Sequence, residues 1–460
     1  MQNKAAPPDP TYDELAKADH AHLWHPFTPM SLWLEQEPLV IARAEGQELI
    51  DEEGRCYLDG VSSLWCNVHG HNRPEINEAI TRQLKHVAHT TLLGLTHRPA
   101  IELAKRLANI SPPKLTRVFY SDAGATAVEA ALKMALQYWQ IAGLNQKTQF
   151  GSLEDAYHGD TLGAVGVGYS HLFHHFFEAV LPDTLRLTPP HLLRWRDGMT
   201  HSEALEHAIT DADRIITSES NRLAAIIVEP LMQGAAGMWP HPPAYLRALR
   251  DITTRENVLL ICDEVATGFG RTGTMFASQQ ASISPDLMCL AKGITGGYLP
   301  LAATLTTDPI YEAFLGRPQE GKTFFHGHTY TGNPLACAAA LASLDLFESD
   351  HTLKHLDSII PSLQQKLEAE IAPLNHVADV RQQGLMVGIE LAADAGNRKS
   401  YPAQNRMGAK VAIEARNRGV IVRPLGDVVV LMPPLSIQEN ELIKLVSVTR
   451  DAIHTTTEPR

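Results

Sequence analysis

Apolar positions along the chain follow two alternating rhythms. Short, nearly unbroken apolar runs, RVFYS (117–121), AAIIVEP (224–230), VLLICD (258–263) and PDLMCLA (285–291), read as strands buried on both faces. Between them lie stretches with helical spacing: HNRPEINEAITRQLKHVAHT (71–90) with Pro74 near its start, RPAIELAKRLANIS (98–111) closed by a Pro-Pro pair, TAVEAALKMALQYWQ (126–140) and AYLRALRDITTREN (244–257). Segments 38–46 and 47–60 alternate like the strands of a hairpin, and residues 1–20 read as a loose arm. The strand–helix–strand order predicts an α/β protein with a mostly parallel central sheet and helices on both faces. After about residue 335 the texture changes. The long helix NPLACAAALASLDLFE (333–348) leads to a smaller module with strands over 384–391, 420–424 and 427–434 and a helix over 408–419. The expected organisation is an arm with part of a small domain over 1–60 and a large domain over 61–334. A linking helix and the remainder of a small α+β domain follow over 335–460.

Composition narrows the function classes. A net charge of -13 argues against nucleic acid or an anionic membrane surface as partner, while leaving room for a local anion pocket. No apolar run approaches the roughly 20 residues of a spanning helix. The opening MQNKAAPPDPTYDELAKADH is polar and proline-broken, unlike a secretory leader. Five cysteines, odd in number and far apart, suit free thiols in a reducing compartment, so a cytoplasmic location is expected.

The candidate chemistry begins at Lys292, where the run PDLMCLA meets the glycines of KGITGG (292–297), and at Asp263, which ends VLLICD. A lysine and an aspartate at the carboxyl ends of two sheet strands are the fixed points that a pyridoxal 5'-phosphate site requires. The amine holds the aldehyde as a Schiff base, and the carboxylate keeps the ring nitrogen protonated. The turn Ala123-Gly124-Ala125 at the start of a helix offers free N–H groups to a phosphate. Tyr157 in YHGD reads either as a cover for the ring or as a packed loop residue, and Glu229 either as a functional or as a structural carboxylate. His326 and His328 lack a cysteine or carboxylate at zinc-ligand spacing, so no metal is expected. A phosphate contact from the Thr329 hydroxyl fits better. His171, His174 and His175 read as packing or solvent-facing. Arg423 is a candidate clamp for a substrate carboxylate, and Arg271 reads as an internal salt-bridge partner rather than a second clamp.

These residues and their surroundings resemble the fold-type I, class III pyridoxal-phosphate aminotransferases over residues 20 to 450. The likeness is carried by HLWHPFTPM (22–30), SSLWCNVHGH (62–71), ALKMALQYWQ (131–140), YHGDT (157–161), DEVATGFGRTG (263–273), the run around Lys292, TGNPLACAAA (331–340) and RPLGDVVVLMPP (423–434). HPFT, ALQYW and RPLGD…LMPP narrow it to the branch that converts 8-amino-7-oxononanoate to 7,8-diaminononanoate in biotin biosynthesis. The resemblance implies a homodimer with shared active sites. Lys292 would carry the cofactor and shuttle the proton, Asp263 would pair with the ring nitrogen, and Tyr157 would lie by the ring and touch substrate. Gly124 and Ala125 would bind the phosphate, helped by His328 and Thr329 of the neighbouring subunit, and Glu229 would stand beside the cofactor. Phe27, Leu64, Trp65, Gly327 and Arg423 would contact substrate, Arg423 at its carboxylate. Members using S-adenosylmethionine as amino donor usually carry tyrosine at Phe27 and at Val430, tryptophan at Leu64, and serine at Ala123 and Ala125. The pattern HPFT, SSLWCNVHGH and FFHGHTYTGN looks more like the branch that takes its amino group from L-lysine, so the expected donor is L-lysine, placed ahead of S-adenosylmethionine. The rival readings are an aminotransferase of omega-amino acids or diamines, an aminomutase, and a non-catalytic binding protein.

Overall fold

All six residues of Leu223–Val228 and all five of Leu259–Asp263 are buried, and alternate side chains of each strand serve different cores. Ala225, Ile227, Leu259 and Ile261 pack with the helix Gly124–Ile141 (α1), through Ala127, Val128, Ala131 and Ala135. Ile226, Val228, Leu260 and Cys262 face the other way, onto the helices His201–Glu219 and Pro243–Arg255. Two covered faces explain why these strands read as continuous apolar runs. The computed structural model describes residues 10–191 and 198–458.

The central sheet has seven strands: Leu115–Ser121 (β1), Gln149–Leu153 (β2), Thr184–Leu187 (β3), Leu223–Val228 (β4), Leu259–Asp263 (β5), Leu287–Leu290 (β6) and Ala302–Thr307 (β7). Their order is β1-β7-β6-β5-β4-β2-β3. Strand β7 runs antiparallel to both of its neighbours, and the remaining pairs are parallel. The carboxyl ends of β5 and β6 therefore open side by side on one edge, where ligands of such sheets collect. The helix Pro334–Ser349 (α2) is capped by Asn333, whose Oδ1 accepts the N–H groups of Leu335 and Ala336.

Two four-stranded sheets lie outside this core. One pairs Ile41–Glu45, Glu48–Asp51 and Cys56–Asp59 with Val420–Ile421, and so joins both ends of the chain. The other is built from Val377–Gln383, Met386–Leu391, Val428–Leu431 and Arg423–Leu425. The arm departs from expectation. Residues 1–9 lie outside the described region, but Tyr12–His22 is a helix. The Thr11 hydroxyl accepts the Glu14 N–H, and the Glu14 carboxylate accepts the Thr11 N–H, a reciprocal cap that a loose arm would lack. No helix among the described residues is long and apolar enough to cross a membrane.

Arg271 also departs from expectation, because among the described residues it has no carboxylate partner. Its buried guanidinium donates to the carbonyls of Pro433 (2.5 Å) and Asn67 (3.2 Å) and to the Ser62 hydroxyl (3.3 Å). Burial pulls its pKa down to about 10. It thus stitches the loop after β5 to segments near both ends of the chain. Arg271→Met should strand these buried acceptors and lower stability by about 2–4 kcal/mol. Calorimetry should show this as a Tm several degrees below wild type, and an unchanged Tm would contradict the brace.

Candidate active site

The site grows from three chain reversals at the edge of the central sheet. Strand β1 ends at Ser121, and the chain turns into α1 with Ala123 extended and Gly124 as its first helical residue. Ala123 has no side-chain acceptor, so the N–H groups of the first turn are left facing the cavity, where an anion satisfies them and the helix dipole. Glycine is required here by close approach, since a Cβ at Gly124 would sit 2.6 Å from Val265 Cγ1.

The second reversal follows β5. Asp263 pairs with Cys289 of β6, so its carboxylate opens beside the segment leading to Lys292. Asp263 Oδ1 accepts the Val265 N–H at 3.0 Å, and Oδ2 lies 2.7 Å from His158 Nδ1. The third reversal follows β6, where Lys292 opens the short turn Lys292–Thr295 with φ at 46°, in the left-handed region that a side chain adopts under constraint. Lys292 Nζ stands 5.5 Å from the centre of the Trp65 ring. Desolvation holds its pKa below the usual lysine value, against the opposing pull of Asp263 and Glu229. A lowered pKa moves an amine towards use as a base.

One cavity of about 650 Å³ gathers Lys292, Asp263, Tyr157, Gly124, Ala125, Glu229 and Trp65. The Tyr157 hydroxyl donates to Asp160 Oδ2 at 2.7 Å, and burial together with this bond raises its pKa. Glu229 accepts the N–H groups of Tyr157 (3.1 Å) and Gly234 (3.0 Å), so it fixes the backbone that carries the tyrosine. Other expected residues do not line this cavity. Phe27 lies outside it, edge-on to Phe173 at 6.0 Å, and Leu64 is about half exposed. Gly327 and Thr329 stand off it, while His328 Nε2 reaches to 3.6 Å from Asp122 Oδ1 at its rim. Arg423 is partly buried on its strand, near enough to Tyr157 for the phenol to bear on its charge.

The donor set fits pyridoxal phosphate. The α1 turn offers N–H groups to a phosphate, Asp263 offers a fixed carboxylate to a protonated ring nitrogen, and Lys292 offers an amine to an aldehyde. Among the described residues, His158 Nε2 is buried without a hydrogen-bond partner, which leaves the Asp263 contact as this imidazole's side-chain hydrogen bond. No group of three or more His, Cys, Asp or Glu side chains among the described residues could hold a metal ion.

A family model described as aminotransferase class-III matches residues 31–453. The chain belongs to the class III aminotransferases. As a member of that family it is a pyridoxal-phosphate-dependent aminotransferase of fold-type I. It is 54% identical over 449 residues to an adenosylmethionine-8-amino-7-oxononanoate aminotransferase from Nitratidesulfovibrio vulgaris, covering 96% of this chain and 82% of that protein. A relative of the same name from Geobacter sulfurreducens is 50% identical over 451 residues, covering 97% and 99%. The crystal structure of the Methanocaldococcus jannaschii protein of that name superposes with a TM-score of 0.91 at 43% identity, covering 96% and 99%. An omega transaminase from Pseudomonas jessenii in complex with PMP gives 0.92 at 30% identity, covering 96% and 98%.

Sequence reasoning left His158 and Asp160 without roles, although both stand in the YHGD motif. His158 meets Asp263, 105 residues away in sequence, and only folding reveals that contact. Burial pushes the Glu229 carboxyl from its usual 4.5 up to about 7. Between those values the folded cofactor-free protein keeps a proton that the unfolded chain has released. This contribution to stability is full below about pH 4.5 and is lost as pH rises through about 7. Glu229→Gln should remove it. The Tm of wild type minus that of the variant is then expected to fall across this interval in calorimetry of the cofactor-free proteins, and a constant difference would refute the assignment. Lys292→Ala should abolish turnover while retaining some cofactor binding, read by steady-state assay and by the absorbance of the purified protein.

Proposed function

We propose that this aminotransferase converts 8-amino-7-oxononanoate to 7,8-diaminononanoate in biotin biosynthesis, with L-lysine as amino donor. The observation that carries the transamination is the placement of Lys292 and Asp263 at the carboxyl ends of adjacent strands in one cavity. The keto substrate is supported by relatives about half identical over nearly the whole chain that carry 8-amino-7-oxononanoate in their names. Pyridoxal phosphate supplies the electron sink and carries the amino group between the two half-reactions. Lys292, neutral once released, moves the proton at the carbon bearing the amino group. Asp263, oriented by His158, keeps the ring nitrogen's proton in place. The N–H groups of Gly124 and Ala125 hold the phosphate, and Tyr157 touches both ring and substrate. Arg423, partly buried on its strand, grips the carboxylate at the far end of the keto acid.

Gly327, His328 and Thr329 are assigned to the site of a second copy, with His328 and Thr329 on the phosphate. The position of Gly327 and Thr329 off their own chain's cavity supports a homodimer with shared sites, as do the strongly exposed Phe325 and Tyr330 beside them. The division into segments 1–60, 61–334 and 335–460 is retained, supported by the sheet that joins strands from both chain ends. A cytoplasmic location rests on the free cysteines and the lack of a candidate spanning helix among the described residues.

The donor assignment rests on Phe27 and Leu64, which supply neither a hydroxyl nor a flat aromatic wall for a sulfonium or an adenine. The second reading, S-adenosylmethionine, is favoured by the names of the relatives. A single-turnover absorbance assay on cofactor-loaded protein separates the two. L-lysine alone should convert the bound cofactor rapidly, and 8-amino-7-oxononanoate should reverse the change. Conversion by S-adenosylmethionine alone would overturn the donor. Failure of the keto acid to reverse it would point to an omega-amino acid or diamine aminotransferase.

A further inference from the structure

The histidine run at residues 171–175 plays no part in the function above, and its members are placed differently. His171 and His175 are exposed and stack on each other, whereas His174 is buried. The His174 ring lies nearly parallel to that of Tyr157, with centroids 6.4 Å apart and an interplanar angle of 15°. Its Nδ1 accepts the Ser170 N–H at 3.0 Å, which places the ring proton on Nε2. Burial holds the imidazole below its usual pKa, so it is neutral near pH 7. Among the described residues Nε2 has no hydrogen-bond partner, and it faces Asp160 Oδ1 at 3.7 Å. The other oxygen of that carboxylate, Oδ2, accepts the Tyr157 hydroxyl.

Asp160 is half exposed at the rim of the cavity, free on its open side to swing into water. A buried N–H without an acceptor is costly, and the Asp160 carboxylate is the acceptor before it. The same attraction that draws Oδ1 towards His174 keeps Oδ2 on the tyrosine. Phe173, 6.0 Å from the His174 ring, meets Phe27 edge-on, so an aromatic contact chain runs outward from the tyrosine.

We propose that His174 is a positioning residue for the transamination: through Asp160 it holds the Tyr157 hydroxyl toward the amine-bearing end of the substrate. The Asp160 carboxylate then supplies the countercharge for the ammonium beside the reacting ketone. This deepens the reading of Tyr157 as a residue that touches substrate, and it rests on that reading.

The two ring nitrogens can be tested separately. In His174→Asn the side-chain oxygen still accepts the Ser170 N–H but the amide stops short of Asp160. In His174→Gln the amide N–H reaches towards Asp160. For holoenzymes matched in Tm and cofactor absorbance, kcat/KM for 8-amino-7-oxononanoate should fall about tenfold in His174→Asn, chiefly through KM, and stay within about threefold of wild type in His174→Gln. In a Tyr157→Phe background, His174→Asn should cost less than about twofold, because the group it positions is gone. A tenfold loss that persists in Tyr157→Phe would overturn the proposal and leave the Tyr157 reading standing. Activity in His174→Asn at or above that of His174→Gln would overturn it likewise. A Tyr157→Phe enzyme as fast as wild type would overturn both.

Discussion

A carboxylate buried at the end of a strand is destabilising unless donors are built around it, and Asp263 has two. The Val265 N–H and the His158 imidazole hold its oxygens at fixed angles. The chemistry around it follows from that fixed negative charge. It opposes the desolvation that would otherwise strip Lys292 of its proton, and it adds to the burial that keeps Glu229 protonated to near-neutral pH. Burial thus shifts Lys292 down and Glu229 up within one cavity, the kind of opposed perturbation that acid–base chemistry uses. The charge also matches what the family's cofactor presents, a protonated ring nitrogen beside an aldehyde.

Backbone strain is present in the wall of the same cavity. Lys292 has a positive φ, and so do Ser62, Ser63 and Trp65 in the turn that carries Leu64 and Trp65. Such conformations persist where surrounding contacts over-determine them. Asp59 accepts the N–H groups of Val61 and Ser63, and Arg271 donates to Ser62 and Asn67 on either side of the turn. The brace that joins distant parts of the chain is therefore also the brace for one wall of the site. This gives a buried arginine whose partners are carbonyls and a hydroxyl a physical role.

Relatives of differing specificity share this framework, since omega transaminases superpose on the chain as well as the Methanocaldococcus jannaschii protein does. In this chain the framework carries Lys292, Asp263 and the helix-opening turn at Gly124. The Tyr157–Asp160–His174 group stands at the cavity rim, and Phe27, Leu64 and Arg423 lie off its lining. Those positions lie on loops, short turns and an edge strand, where a side chain can change without disturbing the sheet.

The sequence by itself determined the architecture and the central pair. Strands buried on both faces leave apolar runs, and a polar residue ending such a run sits at a sheet edge, so Lys292 and Asp263 were legible without coordinates. The helix over 334–349 and the turn into a helix at Gly124 were legible for the same reason: their signals are local in the chain. Tertiary structure alone decided what depends on contacts between distant segments. His158 reaches Asp263 across 105 residues, Arg271 finds carbonyls where a salt bridge was expected, and the helix Tyr12–His22 replaces an expected loose arm. Within one histidine run it buries His174 beside Asp160 and leaves His171 and His175 exposed. Periodicity reports which face a residue occupies, whereas hydrogen-bond partners are set by where the chain returns.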